Sequence, residues 1–136
     1  MMDTKQRKAQ EIGTSSVGAV KNFMELDWSS VAQRKRLSDR LSSHTGGKDG
    51  FDLILGADLI YSLDTVEPLL STAAHLLSSN DPKATFLLAQ SFAFDEETEA
   101  EIDRICQLHG LSKTIVSDHD CSSGGCRIVE FRHCLR

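Results

Sequence analysis

Two side chains stand where a binding pair would be useful. In FDLILGADLIY, residues 51–61, Asp58 and Tyr61 follow an almost unbroken apolar run through Phe51, Leu53, Ile54, Leu55 and Ala57, interrupted only by Asp52. A carboxylate accepts hydrogen bonds and a phenol both donates and accepts them, so both are site candidates. The run itself predicts a parallel strand covered on both faces, because a half-exposed strand would alternate apolar and polar residues. Ligands of open α/β sheets bind at the carboxyl ends of such strands, which is where Asp58 sits. The plainer alternative is that Asp58 caps a turn and Tyr61 covers the sheet edge.

Other candidates carry less. Cys121 and Cys126, with His119, His133 and Cys134, offer the thiolates and imidazoles that zinc takes. Their C-x4-C spacing across SSGG lies at the limit for zinc and lacks a second paired knuckle, so ordinary thiols are preferred and no metal is expected. No catalytic signature surrounds any of the four cysteines. No G-x-G-x-x-G follows a strand; GGKDG (46–50) precedes one, and Gly13 with Gly18 lacks the lysine and hydroxyl of a phosphate loop.

The elements that would position Asp58 and Tyr61 are read from periodicity. VKNFMELDW (20–28) is strand-like, and SSVAQRKRLSDRLSS after it is a polar helix with a modest stripe from Val31 and Leu37 to Leu41. Its Arg34, Lys35, Arg36 and Arg40 read as a solvated face. HTGGKDG is a loop, its glycines clustered before the strand at 51. Val66, Leu69, Leu70, Ala73, Leu76 and Leu77 then form the stripe of a helix packed on a sheet. Pro68 places its first turn, with Thr65 as N-cap and Asp64 and Glu67 at the positive end of the dipole.

SSNDPK turns into a second apolar strand, ATFLLAQSF (84–92), so the β, α, β order predicts a right-handed parallel crossover. DEETEAEIDRICQLHG is a helix with an acidic first turn, ending at Gly110. LSKTIVSDHD and CRIVEFRHCL flank CSSGG as an antiparallel hairpin.

A chain of 136 residues suffices for one domain with its own core but not for two. Its 40% hydrophobic and 26% charged residues are those of a soluble protein, and no apolar run approaches the roughly 20 residues of a membrane helix. MMDTKQRKAQEIG has no apolar stretch behind its charges, so no secretory signal is read and cytoplasm or nucleus is expected. Charge is uneven: nine basic and six acidic side chains in residues 1–50, against six and fourteen in 51–136. The acidic part would repel nucleic acid and attract a basic, lysine-bearing partner.

LDW (26–28), the FDLILGADLIY run and the terminal hairpin together resemble the seven-β-strand S-adenosylmethionine-dependent methyltransferases, specifically lysine methyltransferase family 16. The resemblance covers roughly residues 20–134. Its sharpest motif is D-x-x-Y, here Asp58, Leu59, Ile60 and Tyr61, directly after the fourth strand of that fold. It implies a partial Rossmann-like fold, strands three to seven, doubly wound and closed by the antiparallel hairpin. It also implies S-adenosylmethionine as cofactor and a protein lysine as acceptor. By the same resemblance Asp58 and Tyr61 are catalytic, Ala57 and Asp58 lie beside the methyl donor, and Asp27 and Trp28 border its adenine end. Trp28 could equally be a core aromatic.

The chain departs from that family upstream. The first strand, the acidic glycine-rich loop and the second strand with its ribose-binding acid do not precede VKNFMELDW, and about 20 residues are too few to supply them. We therefore expect a flexible segment at 1–19, the C-terminal portion of a methyltransferase domain at 20–136, and a truncated form. The family sheet order, 3-2-1-4-5-7-6, then leaves residues 51–58 as an exposed apolar edge. Two functions follow: methyl transfer to a protein lysine, or a noncatalytic remnant that captures a partner strand at that edge. Asp58→Ala is expected to abolish transfer with little loss of stability.

Overall fold

The computed structural model describes residues 23–44, 49–119 and 125–134. Its elements are α1 (Val31–His44), β1 (Leu53–Ala57), α2 (Leu63–Leu76), β2 (Thr85–Gln90), α3 (Glu96–His109), β3 (Leu111–His119) and β4 (Cys126–His133). The segment expected to be flexible, residues 1–19, lies outside the described residues.

The four strands form one sheet in the order β1-β2-β4-β3. β1 and β2 are parallel across the α2 crossover, with Leu55 opposite Leu87 and Ala57 opposite Ala89. β4 is antiparallel to both β2 and β3, and Val116 sits at a register shift between Ile115 and Ser117. This is the expected 4-5-7-6 half of the seven-strand sheet, so the mixed α/β fold agrees with the resemblance.

Helices α2 and α3 cover one face. Phe86 and Leu88 of β2 and Val129 and Phe131 of β4 point into it and meet Val66, Leu70, Ile102 and Ile105, all buried. Phe86 and Phe131 stack with centroids 5.5 Å apart. Lys113 of β3 pairs with Glu99 and Asp103 at 3.1 and 2.6 Å, and Arg127 of β4 reaches Glu99 at 2.7 Å, so ion pairs fasten α3 to the hairpin. At the ends of α3, the Asp95 carboxylate accepts the Thr98 N–H at 2.8 Å, and Gly110 closes the helix at φ 66°. The acidic start and the end at Gly110 were legible in the sequence, and the structure adds that Asp95 is the N-cap and that Gly110 is left-handed.

Three local expectations need correction. Residues 23–27 contain no strand, although VKNFMELDW looked like one. An extended segment needs a neighbour to bond, and the outer side of β1 has no partner among the described residues. β1 itself is not covered on both faces: Leu53 is 52% and Leu55 71% exposed. α2 begins at Leu63 with Ser62 as N-cap, so Pro68 lies inside the helix and not in its first turn. The missing N–H there gives up one bond near the helix start, which the packing of Val66, Leu69 and Leu70 outweighs.

Candidate functional site

The loop after β1 is clamped by three successive residues at the end of β2. The Asp58 carboxylate accepts the Ser91 N–H at 2.6 Å through Oδ1 and the Ser91 hydroxyl at 2.9 Å through Oδ2. Gln90 is buried and donates from Nε2 to the Ile60 carbonyl at 3.2 Å. Phe92 meets Tyr61, ring centroids 6.2 Å apart. The stretch Gln90-Ser91-Phe92 thus holds Ile60, Asp58 and Tyr61 in turn.

The local backbone explains why this loop is sharp. Asp58 has φ 50°, the left-handed region that few residues other than glycine enter and that aspartate tolerates because its short side chain can bond locally. Its N–H still bonds the Ala89 carbonyl at 2.8 Å, extending the β1–β2 ladder by one residue. Gly56 has no Cβ because Leu59 folds back over it: an added Cβ would lie 2.5 Å from Leu59 Cδ1. Ile60 then plugs the core at 1% exposure, which throws Tyr61 outward at 76%. The course of Asp58-Leu59-Ile60-Tyr61 is therefore set by one anchored acid and one buried isoleucine.

Asp58 is a structural tie, as the turn-capping alternative expects, and it keeps acceptor positions free of Ser91. A carboxylate has about four acceptor positions, and Ser91 uses two. The remainder suffices for one cationic donor. Gln90, Ser91 and Phe92 were not singled out from sequence. Their signal would have been their place just past a second parallel strand end, where a neighbour must brace the first.

Asp27 and Trp28 fall elsewhere. The Asp27 Oδ1 accepts the Ser29 N–H at 3.0 Å and the Ser29 hydroxyl at 2.7 Å, bonds that hold this exposed carboxyl below its usual range. Trp28 packs against the core, and its carbonyl accepts the Thr72 hydroxyl at 3.0 Å. It lines a cavity of about 470 Å³ with Arg34, Asp64, Glu67 and Ser71. Arg34 is the exception to the solvated helix face: it is partly buried and donates from Nη1 to Ser71 Oγ at 3.0 Å. Ala57 and Asp58 line a different cavity of about 290 Å³ with Ala89, Gln90 and Ser91.

Trp28 thus lines one of these cavities, and Ala57 and Asp58 the other.

The cysteines add no nucleophile in the described core. Burial pushes the Cys106 thiol up to about 11, so it stays protonated at neutral pH and inert. Cys121, one of the zinc candidates, lies outside the described residues.

No curated protein matches the chain. A family model described as lysine methyltransferase matches residues 2–101, which takes in the whole β1-α2-β2 unit, the Asp58-to-Tyr61 loop and its Gln90-to-Phe92 clamp. The match begins before the expected residue 20 and stops short of the hairpin, whose agreement with the fold rests on strand order instead. With more than half its length matched and its sheet ordered as that fold requires, the chain belongs to the lysine methyltransferase family.

Proposed function

We propose that the chain forms the acceptor side of a site that transfers a methyl group from S-adenosylmethionine to a protein lysine. The observation that carries this reading is the clamp of Gln90, Ser91 and Phe92 on the Asp58-to-Tyr61 loop, which fixes a carboxylate and an outward tyrosine at a strand end. A lysine amine attacks only after losing its proton, and the positive charge then passes to it as the new bond forms. Asp58, held by Ser91, offers remaining lone pairs that orient the amine and balance that charge. Tyr61 borders the approach. The donor, when bound, would supply an electrophilic methyl, its S–C bond breaking as the N–C bond forms so that it leaves as S-adenosylhomocysteine. Much of the rate would then come from positioning.

Calorimetric titration of the folded chain with S-adenosylhomocysteine tests this. The expected result is micromolar binding, about -8 kcal/mol. A folded, monodisperse chain that takes up no ligand would overturn the reading.

A second reading is favoured by one observation, the edge of β1, which has no strand partner among the described residues and carries exposed Leu53 and Leu55. In it, a partner's strand pairs with β1 and extends the sheet, main-chain bonds giving affinity and the two leucines specificity.

A further inference from the structure

We propose that β1 is a self-pairing edge: a second copy of this chain adds its own β1 antiparallel, with Leu53 of one copy facing Leu55 of the other. The proposal rests on the partner-strand reading above and names the partner.

The backbone shows which groups are on offer. Thr85 donates its N–H to the Asp52 carbonyl at 3.0 Å, and Asp58 donates its own to the Ala89 carbonyl at 2.8 Å, so the even-numbered residues of this strand are turned to β2. Alternation along a strand then turns the N–H and C=O of Leu53, Leu55 and Ala57 to the outer side. At Phe51 that side is already used, by bonds to Leu76 and Ser78 at 2.8 and 2.9 Å. The edge on offer is therefore Leu53–Ala57, and no described segment bonds it. Edges are usually guarded by a charge, a proline or a bulge. LILGA carries none of these, and Leu53 and Leu55 stand exposed on the same face.

Register selects the occupant. Two copies related by a twofold axis meet antiparallel at this edge, and outward residues must face outward residues for the bonds to form. Centred on Ile54, the seam sets Leu53 against Leu55 on both sides of the axis, and Asp52 against Gly56. Centred on Leu55, it would set Asp52 against Asp58, like charges directly opposed. Centred on Gly56, Leu55 would meet only Ala57. The apolar pattern of the strand thus complements itself in one register, and its acids exclude the next. Charge also separates this occupant from a basic one. Each copy carries a net charge of -5, so salt screens the repulsion between copies and tightens the seam, whereas it would loosen the hold on a lysine-bearing partner.

Sedimentation equilibrium of the full chain tests this. The unaltered chain is expected to dimerise with a Kd of about 10 μM, tightening as salt is raised. Leu53→Lys and Leu55→Glu, both at exposed positions and checked for folding by circular dichroism, are each expected to weaken that at least about tenfold. Mixed in equal amounts they should recover it to within about threefold, because the introduced lysine and glutamate face each other only in the register centred on Ile54. A chain that stays monomeric, a dimer that loosens with salt, or a mixture no tighter than either variant alone would overturn the self-pairing. With a monomeric chain, a fluorescein-labelled peptide of alternating threonine and valine separates the two readings. Anisotropy that rises with the unaltered chain and not with Leu55→Pro, whose outward N–H is gone, leaves strand capture standing with another occupant; no rise removes strand capture as well.

Discussion

The two faces of the sheet carry similar side chains and have opposite fates. On the helix-covered face Phe86, Leu88, Val129 and Phe131 are buried by α2 and α3. On the other face Leu53 and Leu55 of β1 are largely exposed, with Leu87 opposite Leu55 and Ile128 opposite Ala89. The same strand contributes to both: Ile54 packs on the core while its neighbours on either side meet solvent. Apolar character thus sets what a residue can bury, and the neighbouring layer sets what it does bury.

The sharpest break in this contrast is Phe86→Ala. It removes a fully buried ring stacked on Phe131 and is expected to cost about 3–5 kcal/mol, much of the stability of a small domain. Urea unfolding should show the midpoint collapse. Little change there would mean that the stacked pair is not the centre of the core.

The β1–β2 junction should respond less, and in a way that separates bonding from backbone. Asp58→Ala loses both Ser91 bonds and places alanine at φ 50°, an expected cost of about 1–3 kcal/mol. Asp58→Asn tolerates the left-handed backbone and keeps an acceptor, so it should cost less than half as much. The same urea experiment ranks them, and equal costs would remove the backbone argument. This revises the expectation that Asp58→Ala leaves stability almost untouched, because the carboxylate also ties two strand ends together.

The smallest effect is expected on the open face. Leu55→Lys should change unfolding free energy by no more than about 0.5 kcal/mol while lowering self-association in light scattering, since a lysine blunts an unpaired edge. A loss comparable to that of Phe86→Ala would show that the face is covered in solution and would close the comparison.

Much of the fold was legible along the chain. The acidic start and glycine end of α3, the stripe of α2, the parallel crossover and the hairpin all rest on local periodicity and capping, which neighbouring residues settle among themselves. Thr65 as N-cap failed because proline at a first turn is only a preference: the Thr65 N–H bonds the Ser62 carbonyl at 3.1 Å, and the helix starts at Leu63. Residues 23–27 of VKNFMELDW form no strand because strand propensity needs a partner to bond, and none lies beside them among the described residues.

The candidate site divides in the same way. Asp58 and Tyr61 could be named from sequence because a strand end announces itself by where the apolar run stops. Gln90, Ser91 and Phe92 could not, being some 30 residues away and ordinary in type. By itself the sequence determined the order of helices and strands from residue 51 onward, the sign of the charge and the position of the acid at a strand end, all short-range matters of composition and spacing. Only the tertiary structure decided that Ser91 holds Asp58, that Ile60 buries and so turns Tyr61 outward, and that one sheet face stays open. Those outcomes depend on which distant layers meet, and contact between layers is a property of the packed chain.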